Sequence, residues 1–363
     1  MSGALVNLVA KGAQDAFLTG KPEVSFFQSM YKRHTNFAQF PVELFPVGTA
    51  GTNSTISLPI TRKGDLLSYI WADMSSGTAA TAFGSESATP ALFRLYVGGQ
   101  LIEEHDAFYA NSLYTKFLAN TGAKGFAGHN AAAPEDNTWL PLHFSCCDEV
   151  GCALPLVALQ YHDVEVRIQF GSTGNGGTTK YYANYIKLDT DERAAMANAP
   201  REMLITQVQR IQPETVTAAP KVDLSYFNHP VKCLLWGASN ADSSPYTFVD
   251  AKLTLNGVDV FDPMTKKYFA YVQPYHHSSN GSEMQSKALE GDEADNYWMY
   301  SFALKADKYQ PCGTCNFSRL DNAEIKFGGV TGSTLANDLN WFYGVNYNIF
   351  RIQNGMGGLA FAN

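Results

Sequence analysis

The fold of this chain is decided by two similar stretches, Leu95-Tyr96-Val97-Gly98-Gly99-Gln100-Leu101 and Leu253-Thr254-Leu255-Asn256-Gly257-Val258-Asp259. Each has the pattern of a strand, a two-residue turn and a second strand, and the second begins 158 residues after the first (253 − 95). Asn256-Gly257 is a strong signal for a type I′ turn, because both central residues of that turn need a positive φ. Gly98-Gly99 suits the same turn. We therefore expect one hairpin to occur twice in the molecule.

Two further pairs of segments repeat in the same order. The alternating segment Asp163-Val164-Glu165-Val166-Arg167-Ile168 is echoed by Asn322-Ala323-Glu324-Ile325-Lys326-Phe327, at an offset of 159 residues (322 − 163). Trp71, at the end of an apolar strand, has a counterpart in Trp236, at an offset of 165 (236 − 71). Three pairs at nearly constant spacing predict one β-rich unit that is used twice.

Length and composition favour a globular, strand-rich protein. At 363 residues the chain is long enough for two domains. Its 23 Phe, 19 Tyr and 5 Trp favour strands, and its 30 Gly and 16 Pro fit many turns. A net charge of −8 without a basic block argues against direct, sequence-specific nucleic-acid binding. Neither a membrane helix nor a signal peptide is predicted, so we expect the protein in a cytosolic compartment.

The remaining patterns are typical of strands with a few short helices. Alternation is clearest from Asp163 to Phe170, with apolar residues on one face and polar residues on the other. A helical pattern follows each hairpin, over residues 106–118 and 262–271, and in the second we expect Asp262 as N-cap and Pro263 as the first helical residue. A third helix is predicted from Asp189, ending before Pro200.

These patterns predict an all-β fold of two tandem eight-stranded antiparallel jelly rolls with a few short helices in loops. A strand-rich unit of roughly 160 residues with long loops suits that architecture. We expect an N-terminal arm over residues 1–23, a first jelly roll over residues 24–200 and a second over residues 201–363.

Motifs at both ends and in the middle of the chain resemble one family. They lie in segments 11–20, 26–37, 153–162, 227–232, 300–304, 310–319 and 346–360, and their most specific residues are Gln14, Asp15, Tyr31, Arg33, His34, Asn36, Phe37, His229, Pro230, Gly313, Asn316, Arg319, Gly355, Met356, Gly357 and Gly358. Together they resemble the major capsid proteins of nucleocytoplasmic large DNA viruses, over the whole length of the chain.

The resemblance implies a structural function. Members of that family form homotrimeric capsomers with a pseudo-hexagonal outline, which tile the icosahedral capsid of a large double-stranded DNA virus. The implied partners are other copies of the chain, neighbouring capsomers, minor capsid proteins and an internal membrane beneath the shell. The implied location is the virion capsid, after assembly in the host cell cytoplasm. Neither an enzymatic activity nor a cofactor is implied, and the N-terminal arm is expected along neighbouring capsomers or minor proteins.

Three polar groups could carry chemistry, and a structural interpretation is favoured for each. The basic cluster Lys32-Arg33-His34 could bind phosphate, but we expect a structural segment whose aromatic neighbours are buried at the base of the first jelly roll. The run Glu103-Glu104-His105-Asp106 could supply an acid/base pair, but a solvated face near a helix N-terminus explains it equally well. His276-His277 would point to opposite sides of a strand, so we expect no metal site there.

Cysteines and sequons suggest little further chemistry. Cys312-Gly313-Thr314-Cys315 has the spacing of a zinc or redox pair, but no second pair matches it, so free thiols are expected. Three N-x-Ser/Thr sequons begin at Asn53, Asn280 and Asn316. Asn280 and Asn53 are the candidates for glycosylation, whereas Asn316 is expected to be inaccessible.

Three other functions remain as alternatives to a capsomer. A jelly-roll glycan-binding or receptor-attachment module would need exposed aromatic residues, for which Tyr275, Tyr297 and Trp298 are the candidates. A cupin-type metalloenzyme would bind about one metal ion per chain through histidine and glutamate ligands. A minor or penton-type capsid component is disfavoured, because such proteins usually have a single jelly roll.

Overall fold

The computed structural model describes residues 3–76, 82–84, 89–121, 124, 139–176, 178–212, 221–237, 248–279, 297–329 and 341–361. Contacts divide the chain into two units, Met1–Asn36 and Phe37–Asn363. The first unit contains two short helices, Gly3–Val9 and Ala13–Thr19, and its described residues form no strand. The Asp15 carboxylate supports the start of the second helix by accepting a hydrogen bond from the Gly12 N–H at 3.0 Å.

The second unit begins with an antiparallel sandwich of two sheets. In chain order its strands are β1 (Phe37–Leu44), β2 (Thr55–Ile60), β3 (Leu66–Ser76), β4 (Leu92–Val97), β5 (Gln100–Asp106), β6 (Trp139–Pro141), β7 (Leu154–Pro155), β8 (Val164–Gln169) and β9 (Thr178–Leu188). One sheet has the order β1-β9-β3-β6, with β7 also paired to β3, and the other has the order β2-β8-β4-β5.

A second antiparallel sandwich follows. Its strands are β10 (Arg201–Ile211), β11 (Lys221–Asp223), β12 (Pro230–Gly237), β13 (Asp250–Leu255), β14 (Val258–Asp259), β15 (Met264–Thr265), β16 (Tyr297–Ser301), β17 (Cys315–Asn316), β18 (Ala323–Gly328), β19 (Trp341–Gln353) and β20 (Met356–Leu359). Its larger sheet has the order β10-β19-β12-β16, with β17 on β12 and β20 on β19. Its smaller sheet has the order β11-β18-β13-β14, with β15 on β13.

The two sandwiches have the same topology. The orders β1-β9-β3-β6 and β10-β19-β12-β16 correspond strand by strand, and so do β2-β8-β4-β5 and β11-β18-β13-β14. The main path of each sheet has four strands, so each sandwich has the eight strands of a jelly roll, with short additional strands at the edges. The prediction of an all-β fold with two tandem antiparallel jelly rolls is confirmed.

The predicted hairpins are present with the predicted turns. Gly98 and Gly99 have φ values of +58° and +81°, and Asn256 and Gly257 have values of +48° and +78°. Both central residues of each turn thus have the positive φ that a type I′ turn needs. The pairs Val97↔Gln100 and Leu255↔Val258 close the two-residue loops.

Each sandwich has its own hydrophobic core, and apolar residues of the repeated sequence segments are buried in those cores. In β8 Val164, Val166 and Ile168 are buried in the first core, and in β18 Ala323, Ile325 and Phe327 are buried in the second. Leu95 and Leu253 are likewise buried in the first and second cores. Two of the three repeated pairs therefore occupy equivalent positions in the two jelly rolls.

The third repeated pair, Trp71 and Trp236, lies on equivalent strands but on opposite faces of the two sheets. Trp236 on β12 is completely buried in the second core. Trp71 on β3 lies between Ile70 and Ala72, which face the first core, so its side chain points to the outer face of the sheet. The echo was therefore wrong as a match of individual side chains.

Five helices accompany the strands of the second unit, together with two 3₁₀ turns, among its described residues. The helices span Tyr109–Leu118, Ser145–Asp148, Thr190–Asn198, Tyr268–Val272 and Gln273–His277, and the 3₁₀ turns span Val150–Cys152 and Phe317–Arg319. The helix predicted from Asp189 is present as Thr190–Asn198, and Asp189 is its N-cap. The prediction for Asp262 and Pro263 was wrong, because Met264–Thr265 first pairs as β15 with β13 and helical structure begins only at Lys266. No helix in the described part of the chain is long and apolar enough to cross a membrane.

Candidate functional site

The functional features of this fold meet where the two jelly rolls touch. The helix Tyr109–Leu118 follows β5 of the first jelly roll and packs on the outer face of the sheet β10-β19-β12-β16 of the second. This junction has an apolar part formed by the buried side chains of Phe108, Tyr109, Leu113, Tyr114, Phe117, Leu118, Cys233, Leu235, Met299, Ala306, Tyr343 and Val345. Because these buried residues come from both jelly rolls, the junction resembles the hydrophobic core of one domain. It does not resemble a flexible hinge between two domains.

Asp106 is the polar centre of the junction and is fully buried. Its carboxylate accepts hydrogen bonds from the Tyr109 N–H at 2.8 Å and from the Tyr343 hydroxyl at 2.7 Å. The Arg210 guanidinium lies 3.1 Å from the same carboxylate and 3.8 Å from Glu104. Burial raises the pKa of Asp106 above its ordinary value, and the Arg210 charge and these hydrogen bonds oppose that rise. Asp106 thereby joins the helix of one jelly roll to two strands of the other.

A second set of polar contacts lies beside Asp106. The Ser145 N–H donates to Glu103 at 2.7 Å, and the Ser145 hydroxyl donates to the Thr206 carbonyl at 3.0 Å. Gln207 donates from Nε2 to the Ile102 carbonyl at 2.6 Å. Since Thr206 and Gln207 belong to β10, these bonds fasten the first strand of the second jelly roll to the first.

The run Glu103 to Asp106 was expected on a solvated face, and that expectation was wrong. Glu103, His105 and Asp106 are all buried, because β5 runs along β10 where the two jelly rolls meet. Desolvation raises the pKa of Glu103 to about 8 and lowers the pKa of His105 to about 3. Both groups are therefore neutral near pH 7, which suits a buried contact.

The junction leaves too little space for an organic substrate. Glu103, His105, Tyr109, His143 and Asp148 line a cavity of about 30 Å³. A space of that size holds one or two water molecules, whereas ligand pockets measure roughly 300–1,000 Å³. The perturbed carboxyl and imidazole groups are thus explained by burial between modules.

The C-terminal glycine motif also contacts the first jelly roll. Gly355 has a φ of +78° and lies in the turn just before the return strand β20. Its carbonyl accepts a hydrogen bond from the Tyr161 N–H at 3.0 Å, and a Cβ on Gly355 would lie 2.7 Å from the Tyr161 ring. A Cβ on Gly357 would lie 2.6 Å from both Leu159 and Phe350. The glycines therefore allow the hairpin to dock closely against the first jelly roll.

Two other parts of this motif complete the contact. The Gly357 main chain lies within hydrogen-bond distance of His162, with its N–H at 3.2 Å and its carbonyl at 3.0 Å from Nδ1. A Cβ on Gly358 would lie 3.1 Å from Gln100. The Met356 side chain is exposed.

The central motif residues come together at the start of β12. His229 has a φ of +64°, and its N–H donates to the Ser318 hydroxyl at 2.8 Å. Pro230, the first residue of β12, pairs with Asn316, the last residue of β17. Gly313 has a φ of +136°, and a Cβ there would lie 2.7 Å from the Phe302 carbonyl. The exposed Arg319 ends the short 3₁₀ turn that follows.

The N-terminal motif residues are exposed in the single chain. Gln14 and Asp15 lie on the second short helix, and Phe37 begins β1. The others, Tyr31, Arg33, His34 and Asn36, lie in the strand-free segment before β1. The expectation that the aromatic neighbours of Lys32-Arg33-His34 are buried was wrong, since Phe26, Phe27, Tyr31 and Phe37 are all exposed.

The remaining candidate residues show no metal or redox centre. Among the described residues, no group of three or more His, Cys, Asp or Glu side chains could hold a metal ion. His276 and His277 lie on the helix Gln273–His277 rather than on a strand. All six cysteines are free, and the Cys312 thiol donates to the Lys305 carbonyl at 3.1 Å.

Two of the three sequons can be located. Asn53 is exposed in the turn before β2, with a φ of +56°. Asn316 is also exposed, contrary to expectation, although its side chain accepts a hydrogen bond from the Ser318 N–H at 3.1 Å. Asn280 lies outside the described residues.

Sequence reasoning missed the residues of the second jelly roll that complete the junction. Arg210 and Tyr343 were not candidates, although Arg210 carries the charge that faces Asp106. The available signal was a run of polar residues, Gln207, Gln209 and Arg210, in a strand that otherwise reads as apolar. That signal places polar side chains on both faces of the strand but does not identify their partners.

Two family models match the chain, one to each half. The model described as "Major capsid protein N-terminus" matches residues 25–199, and the model described as "Large eukaryotic DNA virus major capsid protein" matches residues 192–358. The major capsid protein of Pyramimonas orientalis virus is 36% identical, and that of Paramecium bursaria Chlorella virus 1 is 31% identical. Both alignments cover 100% of this chain and 100% of the relative.

A solved structure has the same fold. A chain in the quasi-atomic model of the PBCV-1 virus capsid superimposes with a TM-score of 0.75 at 29% sequence identity, covering 93% of this chain and 100% of that chain. The match includes both jelly rolls, since it spans nearly the whole chain. This chain therefore belongs to the major capsid protein family of large eukaryotic DNA viruses, and its function is that of a structural capsid protein.

Proposed function

We propose that three copies of this chain form a homotrimeric capsomer with a pseudo-hexagonal outline, and that such capsomers tile an icosahedral shell. The observation that carries the proposal is the repeated sandwich, with the same strand order in both halves. Three chains with two similar modules each place six similar modules around one axis, and a six-cornered unit packs a flat facet without gaps. In this proposal each chain consists of an N-terminal arm (1–23), a first jelly roll (24–200) and a second jelly roll (201–363).

The buried junction supports a rigid capsomer. The contacts of Asp106 with Arg210 and Tyr343 and the apolar cluster around the helix Tyr109–Leu118 fix one jelly roll on the other. A fixed angle between the modules is required, because a threefold ring closes only if the junction within each chain and the contact between chains together make one third of a full turn. We infer that the central and C-terminal motif residues serve this geometry.

The arm is proposed to bind partners in the shell. Large apolar side chains of the arm, such as Leu8, Val9, Phe17 and Leu18, are largely exposed in the single chain. Exposed apolar surface of this kind is typical of an interaction segment. Neighbouring capsomers and minor capsid proteins, above an internal membrane, are the proposed partners.

We further propose that the protein has no enzymatic activity and binds no cofactor. The perturbed groups of the junction surround a cavity of about 30 Å³. The alternative of a glycan-binding module is weakened, because Trp298 is completely buried in the second core and cannot stack on a sugar. Glycans, if attached, are proposed at Asn53 or Asn280, which peptide mass spectrometry of virion protein would identify.

The mass of the protein in solution tests the capsomer proposal. We expect a particle of about 119 kDa (3 × 39.7 kDa) in mass photometry of the purified chain. In virions we expect this chain to be the most abundant protein and to be assembled in the host cytoplasm, which quantitative proteomics and thin-section electron microscopy would measure. A stable monomer, or a scarce chain in the particle, would contradict the proposal.

A further inference from the structure

The two surfaces that form the internal junction each have an equivalent in the other jelly roll, and the described residues of these equivalents include the exposed Tyr69, Trp139 and Tyr275. In the junction, a helix from the β5–β6 connection covers the outer face of the larger sheet of the second jelly roll. The equivalent connection of the second jelly roll, between β14 and β16, also contains helical segments, Tyr268–Val272 and Gln273–His277. The equivalent outer sheet face of the first jelly roll is formed by β9, β3 and β6.

The helical segments of the two connections begin at equivalent positions and share an unusual hydrogen bond. Helical structure begins at Ala107 in the first and at Lys266 in the second, at an offset of 159 residues (266 − 107). Both contain the rare i→i−5 hydrogen bond, from the Ala119 N–H to the Tyr114 carbonyl and from the Gln273 N–H to the Tyr268 carbonyl. Wide turns of this type are uncommon and are often retained at functional sites.

The helix of the second jelly roll has an exposed stripe. Tyr268, Val272, Tyr275 and His276 are spaced as one helical face, and the last three of them are exposed, Tyr275 at 66%. Phe269, on the opposite face, is buried in the second core. By contrast, nearly every residue of the helix Tyr109–Leu118 is buried, because that helix is covered on both sides.

The sheet of the first jelly roll has an exposed aromatic patch formed by Tyr69, Trp71, Trp139 and Tyr182. Tyr69 and Trp139 are each 45% exposed. The Trp71 ring is 5.3 Å from the Tyr182 ring and 5.6 Å from the Tyr69 ring. Aromatic residues grouped on the open face of a sheet are typical of a protein interface.

The contacts of the internal junction predict which residues meet. In the junction the Lys116 ammonium lies 3.2 Å from the centroid of the Tyr297 ring, and the Phe108 ring lies 6.1 Å from it. At the offset of 159 residues, Lys116 corresponds to Tyr275 (275 − 116) and Phe108 corresponds to Lys267 (267 − 108). The helix therefore has one aromatic residue and one lysine at these positions in both copies, with their order exchanged.

The acceptor aromatic residue is also repeated. Tyr297 is the first residue of β16, and Trp139 is the first residue of the equivalent strand β6, at an offset of 158 (297 − 139). A tryptophan face binds a lysine by a cation–π contact at least as well as a tyrosine face. Both sides of the junction thus have chemically matched counterparts.

We propose that the helix of the second jelly roll docks on the aromatic patch of the first jelly roll of another copy, with Tyr275 and Lys267 against Trp139. This inference rests on the proposed capsomer and assigns the residues that hold it together. The contact is heterologous, since it joins two different surfaces, and it alternates around the ring with the internal junction. A ring of three copies uses every such surface once and closes.

Two single substitutions and a matched control test this contact. Trp139→Glu places a charge on the patch, and Tyr275→Glu places one on the stripe, whereas Tyr226→Glu alters a tyrosine that is 72% exposed elsewhere. We expect the concentration at which trimers dissociate to rise by about tenfold or more for the first two, because buried aromatic residues dominate interface energies. The Tyr226→Glu variant is expected to remain trimeric, and circular dichroism should show that all three variants are folded.

Mixing the two variants identifies the arrangement. A Trp139→Glu chain retains an intact stripe and a Tyr275→Glu chain retains an intact patch, so an equimolar mixture is expected to form 1:1 dimers but no closed trimers. Variants that remain as trimeric as the wild type would overturn this inference and leave the capsomer proposal standing. A monomeric wild type would overturn both.

A photo-crosslinking experiment tests the same contact if one of the substitutions impairs folding. With p-benzoylphenylalanine in place of Tyr275 in the otherwise unchanged chain, we expect an interchain product whose crosslinked peptide contains Trp139 or the neighbouring strand β3. A product within one chain, or a product with residues 1–36, would place a different segment against the helix and would overturn the inference.

Discussion

Asp106 shows how one buried side chain can hold two modules together. Its partners Arg210 and Tyr343 belong to the other jelly roll, and Tyr343 lies 237 positions away in sequence. The ion pair is shielded from water, since Asp106 is fully buried and the Arg210 side chain is 23% exposed. In such a place the loss of one partner leaves an uncompensated charge, which costs far more than the pair itself contributes.

We therefore expect Asp106→Ala to lower the free energy of unfolding by about 3–5 kcal/mol, because the buried Tyr343 hydroxyl loses its acceptor and the partly buried Arg210 keeps only the more distant Glu104, at 3.8 Å. Urea denaturation followed by tryptophan fluorescence would measure the change. Asp163→Ala is the matched control, because Asp163 is fully exposed and only approaches Arg62 at 3.6 Å. Equal effects of the two substitutions would contradict the role given to Asp106.

The buried Glu103 predicts an unusual dependence of stability on pH. Its pKa is about 8 in the fold, against an ordinary value of 4.5, because burial disfavours the charged carboxylate. Between these values the unfolded chain loses the proton and the folded chain keeps it, so the free energy of unfolding falls as the pH rises from 4.5 to about 8. His105, with a pKa lowered to about 3, acts in the opposite sense, since its contribution is lost as the pH falls below 6.5.

Glu103→Gln is expected to remove the contribution of Glu103, because glutamine has the shape of the protonated acid and does not titrate. The variant should equal or exceed the wild type in stability at pH 8 and should show a shallower decline from pH 5 to pH 8 in thermal or urea unfolding. Glu202→Gln, which changes an exposed glutamate paired with Arg351 at 2.8 Å, should leave the decline unchanged. Parallel curves for wild type and Glu103→Gln would show that Glu103 is ionised in the fold.

At the scale of elements, the hairpins were predictable and the junction was not. The turns at Gly98-Gly99 and Asn256-Gly257 depend on local backbone geometry, which the sequence states directly. The alternation of apolar and polar residues in β8 likewise predicts which of its side chains are buried. By contrast, the polar end of β5 reads equally well as a solvated face or as a contact, because the deciding partner β10 begins about a hundred positions later. Likewise, the short strand β15 displaced the start of the predicted helix from Asp262, since pairing with β13 overrides the local capping signal.

The C-terminal hairpin of β19 and β20 fastens the end of the chain to the first jelly roll. A methyl group on Gly357 would meet the buried Leu159 and Phe350 side chains at 2.6 Å. We expect Gly357→Ala to lower the free energy of unfolding by about 1–3 kcal/mol, because overpacking a filled site forces its neighbours to move. Limited proteolysis should also release the C-terminus earlier. Gly151→Ala, where the added Cβ has no neighbour within 4 Å, is the matched control and should show neither effect.

At the scale of the whole molecule, the resemblance of the two halves hides a difference in how they are covered. The larger sheet of the second jelly roll is covered within the chain by Phe108, Leu113 and Phe117, whereas the equivalent sheet of the first carries the exposed Tyr69 and Trp139. A doubled module in a single chain can satisfy only one of the two contacts that its symmetry offers. The other contact is available to another copy, which is the physical reason for expecting a ring.

The strength of the internal contact can be tested by dividing the chain between the jelly rolls. We expect co-expressed fragments 1–200 and 201–363 to co-purify in a 1:1 ratio, because each alone would expose the apolar face of the junction to water. Leu235→Asp in the second fragment should abolish the association, since Leu235 is completely buried against the helix Tyr109–Leu118. Val258→Asp, at an exposed position of the β13–β14 hairpin, should leave the fragments associated. Fragments that fold but elute separately in size-exclusion chromatography would show that the peptide link, rather than the junction, holds the modules together, and a ring built on a fixed angle between them would lose its basis.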